Sequence, residues 1–178
     1  MAYCPPKTPA TGCLDVIIQE SIILPNFNRQ QSYNEFTVCG INNYVTRTEI
    51  IDSRWSGSGI GIIDFVGSPS EQTPGSFVNS DVKYIRITNI PTSPTFASIY
   101  IIKTNQESAL FKIEPGRSLV LSSDEFDASS TADYVDETYA DKQYFDDFLY
   151  MSEIKAKAGD TNGTFTGSIK IEYVVASA

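Results

Sequence analysis

The sequence predicts an all-β protein, an antiparallel β-sandwich or jelly roll with an extended N-terminal arm and a long acidic loop. Three observations lead there. Eight to ten short runs alternate apolar with polar residues, clusters of turn-forming residues separate them at regular spacing, and no stretch sustains the period of an amphipathic helix. No internal repeat emerges. A chain of 178 residues can bury a core without a disulfide framework or structural metal. One domain over residues 14–178 is therefore expected, preceded by an arm at 1–13.

The arm comes first. Pro5, Pro6, Pro9 and Gly12 exclude a helix and favour an extended segment over residues 1–13. In "CLDVIIQESIIL" Leu14, Val16 and Ile18 alternate with Asp15, Ile17 and Gln19, which predicts the first strand. "EFTVCGI" follows, with Phe36, Val38 and Gly40 on one face, and then "YVTRTEIIDSRW" from Tyr44 to Trp55. "SGSGIG" reads as a loop or bulge before the buried strand "IIDFV". Residues 67–80 are expected to be loop.

The pattern sharpens further along. "VKYIRITNI" puts Lys83, Ile85, Ile87 and Asn89 on one face, opposite Val82, Tyr84, Arg86 and Thr88. "NQES" joins "FASIYIIKT" to "ALFKI" as a short hairpin. In "EPGR", Pro115 presets φ for the first central position of a type II turn and Gly116 supplies the positive φ of the second. "SLVLSS" is then expected to pair back on "ALFKI", with Leu119 and Leu121 inward. Two strands close the chain: Ile154, Ala156 and Ala158 mark one, and Phe165, Ile169, Ile171, Tyr173 and Val175 the other. The Asn-Gly pair in "GDTNGT" predicts a hairpin between them. The expected core is Ile85, Ile87, Ile99, Ile101, Phe111, Leu119, Leu121, Ile154, Ile169 and Ile171.

Charge narrows the partners. The formal net charge is −9, from 22 acidic and 13 basic residues, which argues against nucleic acid and against an anionic membrane. Nine of the acids lie between Asp124 and Asp147 beside a single base, Lys142. This acidic insert, without a sustained apolar stripe, is expected to be a solvated loop. No apolar run has the length of a spanning helix. "MAYCPPKTPATGC" has neither the basic nor the apolar region of a secretory signal, so synthesis in a cytoplasm is expected. The cysteines Cys4, Cys13 and Cys39 are odd in number and lack paired spacing. They are expected to be free thiols, with a Cys4–Cys13 loop as the alternative under oxidising conditions.

Catalytic patterns are thin. Histidine is absent from the sequence, which removes the commonest general base and metal ligand and the usual nucleophile–histidine triads. Three cysteines make a poor zinc set. The glycines Gly57, Gly59 and Gly61 open a strand rather than a helix and lack the phosphate-binding lysine. Paired carboxylates suited to glycoside hydrolysis would be crowded within the acidic insert, where solvation explains them better. Calcium is the cation those acids would suit, yet "DEFDASSTADYVDE" lacks the D-x-[DN]-x-[DN]-G loop. Trp55 with Tyr44, Tyr134, Tyr139, Tyr144 and Tyr150 could form a sugar-stacking platform, but strand aromatics more often serve cores or interfaces. "NGT" at Asn162 fits a glycosylation acceptor and equally a turn. No catalytic residue, cofactor or metal ligand is expected. Pro5, Pro6, Pro9 and Trp55 are the expected interface residues.

At "KYIRITNI", "SIYIIKTNQESALFKIEPGRSLVLSS" and "MSEIKAKAGDTNGTFTGSIKIEYVVASA" the chain resembles small β-rich virion proteins of tailed bacteriophages. The shared order is a strand ending in Asn, short strands after it, a turn–strand element around "EPGRSL", and a closing hairpin that opens on "I-x-A". The resemblance spans residues 82–123 and 148–178 and leaves out the arm, residues 14–80 and the acidic insert. It implies a non-enzymatic structural protein of the particle, such as a capsid decoration or cement subunit. Its partners would be the major capsid protein, other virion proteins and further copies of itself, and its location the virion. The alternative is a carbohydrate- or receptor-binding sandwich in a tail or fibre.

Overall fold

The computed structural model describes residues 12–23, 29–53, 59–106, 108–122, 148–159 and 166–178. Eleven strands run through them: β1 (Gly12–Ile23), β2 (Arg29–Ile41), β3 (Asn43–Asp52), β4 (Ile60–Val66), β5 (Ser76–Val78), β6 (Val82–Asn89), β7 (Ala97–Lys103), β8 (Ser108–Ile113), β9 (Ser118–Ser122), β10 (Met151–Ala158) and β11 (Ser168–Ser177). Single 3-10 turns stand at Pro69–Glu71, Asn79–Asp81 and Phe148–Tyr150. No helix among the described residues is long and apolar enough to cross a membrane.

The strands form two stacked sheets and a separate ribbon. One sheet has the order β3-β11-β6-β9, the other β5-β4-β10-β7-β8, and β1 pairs only with β2. Leaving aside the short β5, which lies parallel to β4, the eight strands from β3 onward cross between the sheets at every connection except the β7–β8 hairpin, the pattern of two interlocked Greek keys. This is a jelly roll, and the all-β sandwich that the alternation predicts is the fold.

Side-chain alternation explains the core. Ile85 and Ile87 of β6, Ile99 and Ile101 of β7, Ile154 of β10 and Ile169, Ile171, Tyr173 and Val175 of β11 all meet between the sheets. Each Ile among them is at most 1% exposed, and each large side chain contributes about 1.5–3 kcal/mol by burial. Leu121 joins them, while Phe111 and Leu119 pack at the margin, half-buried. Both faces of β6 carry buried residues, Ile85, Ile87 and Asn89 on one and Val82 and Tyr84 on the other. Tyr84 turns outward beneath the ribbon, and Val82 joins the inner core because the β6–β11 ladder shifts register between Ala176 and Ser177.

Two expected hairpins are not hairpins. Gly116 has φ +77° and Arg117 N donates to Glu114 O at 3.0 Å, so the "EPGR" turn forms as the residues dictate. It nevertheless hands the chain from one sheet to the other: β8 pairs with β7 and β9 with β6. Buried Asn89 anchors this crossing. Its backbone bonds to Gly116 and Arg117, and its Nδ2 donates to the carbonyls of Thr95 and Ile113. β10 and β11 likewise lie in different sheets; the Asn-Gly pair between them falls outside the described residues. Within the expected loop at 67–80, Ser76–Val78 is a buried strand, too short for alternation to reveal.

The cysteine expectation is also corrected. Cys13 and Cys39 face each other across β1 and β2, Cα–Cα 4.1 Å apart, and form a disulfide. The strand register brings them together, which sequence spacing could not signal. Gly12 and Cys13 thus belong to the ribbon, and residues 1–11 of the expected arm lie outside the described residues.

Candidate functional surfaces

The ribbon is the first surface. Its twelve-residue β1 and thirteen-residue β2 pair along their whole length, and the end carrying Val38 packs on the sandwich. There Val38 is fully buried against Tyr84, Val174 and Ala176, with Leu14, Val16, Phe36, Ile41 and Val120 around them. This small cluster sits on the outer face of the four-stranded sheet. Further along, Ile17 is 56% exposed and Tyr33 62%. Tyr33 donates to Glu35 at 2.9 Å, a hydrogen bond that raises its phenol above the usual range. Apolar side chains on both strands of the ribbon thus face solvent away from the cluster.

The second surface is the edge formed by β3. Inward residues of this strand are Val45, which packs on the core, and the buried Ile51; Arg47 and Glu49 share their parity. Tyr44 and Ile50 point outward and are largely exposed. Asn43, Val45 and Arg47 form one wall of a cleft of about 460 Å³, and Gln72 to Phe77 form the other. Gly75 has φ +100°, a conformation that favours glycine, and a Cβ there would stand 3.2 Å from a terminal nitrogen of Arg47. The neighbouring loop is self-contained: Ser76 Oγ donates to Thr73 O and accepts from Thr73 N, and Gln72 Nε2 donates to Ser76 O.

Behind Arg47 lies Tyr173. Burial pushes its phenol up from the ordinary value, while the adjacent Arg47 pulls the other way and Glu49 and Asp64 add to the rise. Among the described residues, neither Arg47 nor Glu49 enters an ion pair; those present are Arg86–Glu172, Lys112–Glu114 and Lys155–Glu153. Chemically, the edge offers the Arg47 guanidinium, the carboxylates of Glu49 and Asp52, a neutral phenol and a strand side that no described strand pairs. It is equipped for recognition.

Sequence reasoning placed Arg47 and Glu49 in a strand but had no signal that the strand was an edge. Of the expected interface residues, Pro5, Pro6, Pro9 and Trp55 lie outside the described residues, as do Tyr134, Tyr139, Tyr144, Asn162 and the acidic stretch at 124–147 considered for calcium. Tyr44 and Tyr150 are described and exposed, on separate elements. Gly59, with φ +86°, leads into β4 as its sequence context predicts. Among the described residues no group of three or more Cys, Asp or Glu is placed to hold a metal. Neither a protein-family model nor a curated protein sequence matches the chain.

Proposed function

We propose that this chain is a non-enzymatic structural protein of a tailed-phage virion, a capsid decoration or cement subunit or another head-associated protein. The observation that carries the reading is the ribbon: a disulfide-bridged pair of strands, docked at one end, that presents Ile17 and Tyr33 to solvent. A rigid sandwich bearing an apolar projection suits a subunit that clamps neighbours, because exposed apolar patches mark docking sites. Jelly rolls serve viral capsids and also lectins, so the fold alone decides nothing. The resemblance over residues 82–123 and 148–178 favours the virion. The partners are then the major capsid protein, other virion proteins and further copies of the chain. The subunit joins the particle after synthesis in the host cytoplasm.

Sedimentation with purified particles tests this directly. The protein is expected to travel with them, and Ile17→Asp with Tyr33→Asp is expected to reduce its occupancy while the thermal midpoint holds. A protein that stays in the supernatant at all concentrations contradicts the proposal. The polar cleft beside Arg47 favours one second reading, a carbohydrate- or receptor-binding module. That reading requires glycan binding by the free protein, lost on Gln72→Ala.

A further inference from the structure

We propose that two copies of the chain pair edge to edge through β3, antiparallel and centred on Thr48, joining their four-stranded sheets into one of eight strands. The inference goes beyond a virion role and stands or falls without it, since it concerns the free protein.

The sandwich has four edge strands, and three are short: β5 has three residues, β9 five and β8 six. β3 has ten, all paired to β11 on one side, and no described strand pairs with its other side. Proteins usually blunt such an edge with proline, lysine, a bulge or inward-pointing charges, the last of which block any partner that does not bring the opposite charge. β3 has no proline, no lysine and no register shift against β11, and it contains Tyr44, Val45, Thr46, Thr48, Ile50 and Ile51, all strand-favouring residues. The side of β3 away from β11, with no partner among the described strands, suits another strand.

Symmetry then fixes the register. A two-fold axis perpendicular to a sheet keeps inward residues inward, so each residue must meet one of the same parity and the axis must pass between the two copies of one residue. Centring on Arg47 sets Arg47 against the partner's Arg47; centring on Glu49 sets Glu49 against the partner's Glu49. Both juxtapose like charges, which is destabilising. Centring on Thr46 puts Arg47 opposite the partner's Val45, and centring on Ile50 puts Glu49 opposite the partner's Ile51, so neither charge is matched. Centring on Thr48 sets Arg47 against the partner's Glu49 and Glu49 against the partner's Arg47. Two equivalent cross-strand ion pairs result, from the two charged residues near the strand's middle that enter no ion pair among the described residues. Outside the sheet, Thr46 meets the partner's Ile50, and Thr48 meets its own copy.

Analytical ultracentrifugation of the free protein over a concentration series is expected to resolve a monomer–dimer equilibrium that weakens with salt. Arg47→Glu alone and Glu49→Arg alone each convert both ion pairs into repulsions and should raise the dissociation constant about tenfold or more. The double variant restores complementarity and should recover the dimer. A second measurement does not depend on tolerating those changes. Thr48→Cys places two thiols opposite each other, Cβ atoms about 5 Å apart, and should crosslink under mild oxidation above the background of the unaltered chain. Thr46→Cys sets the two thiols about four residues apart along the strands, roughly 13 Å, and should not. A monomer at every concentration, a dimer indifferent to the single reversals, or crosslinking from Thr46→Cys equal to that from Thr48→Cys would each overturn the proposal.

Discussion

Two apolar clusters meet on opposite faces of the same four-stranded sheet, and they are built differently. The inner cluster draws residues from every strand between β3 and β11 and closes around fully buried Ile85, Ile99, Ile154 and Ile171. The outer cluster has four buried members, Val38, Tyr84, Val174 and Ala176, and a half-buried fringe from the ribbon. The inner one joins two sheets that cannot exist apart. The outer one holds down one end of a ribbon whose own ladder is complete. The difference separates what specifies the fold from what positions a projecting element, and local stability should follow the same division.

Truncating each cluster is the strongest way to break that contrast. Ile171→Ala is expected to cost about 2–5 kcal/mol and to destabilise the whole molecule, because it leaves a cavity between the sheets. Val38→Ala removes less apolar surface and should cost about 1–2 kcal/mol. The pattern matters more than the size. Hydrogen exchange monitored by mass spectrometry should accelerate everywhere in the Ile171 variant and selectively in β1 and β2 in the Val38 variant. Uniform acceleration in both would mean that the ribbon and the sandwich open as one unit.

The disulfide sharpens the comparison. Cys13–Cys39 links residues 26 apart in sequence, and closing a loop of that size stabilises a folded chain by about 2–4 kcal/mol in the chain-entropy account. Cys39→Ser should therefore lower the denaturant midpoint, and a reductant should reproduce the loss in the unaltered protein. Because the bridge stands beside the outer cluster in sequence, combining Cys39→Ser with Val38→Ala should depart from the sum of the two by about 0.5 kcal/mol or more. Strict additivity would place the bridge and the cluster in independent units.

The inner cluster was largely legible in the sequence because burial leaves a period-two signature wherever one face of a strand is dry. Ile85, Ile87, Ile99, Ile101, Ile154, Ile169 and Ile171 all carry it, and all are buried. Connectivity was not legible. The "EPGR" turn forms as its residues require, yet local turn chemistry cannot say whether the next strand returns to the same sheet. That choice depends on which distant strand buries its face best, and β9 pairs with β6 rather than β8. The disulfide and the β3 edge escaped detection for the same reason: strand register brings Cys13 to Cys39, and strand order leaves Arg47 and Glu49 at a border.

The smallest expected effect is a titration that distinguishes the clusters through one tyrosine each. Tyr173 lies in the inner cluster and Tyr84 in the outer, and burial raises both phenols above the ordinary value of 10.0. For Tyr84 the neighbouring Arg86 opposes the rise, as Arg47 does for Tyr173. A raised phenol favours the neutral form in the folded state. Its contribution to stability is thus complete below the ordinary value and is lost as pH climbs through the higher folded value. Stability should accordingly fall on the alkaline side. The two losses should differ in kind. Tyr84 can ionise once the ribbon lifts from the sheet, whereas Tyr173 can ionise only when the sheets separate. In an alkaline titration followed by phenolate absorbance and circular dichroism together, Tyr84→Phe should remove a late step that precedes loss of β-structure. Tyr173→Phe should remove a step that coincides with that loss and should move the unfolding transition to higher pH. Ionisation of Tyr173 in the range of a free phenol, with the β-structure intact, would mean that the inner cluster admits water at this edge. The sharp division between the two faces of the sheet would then fail where β3 borders the cleft.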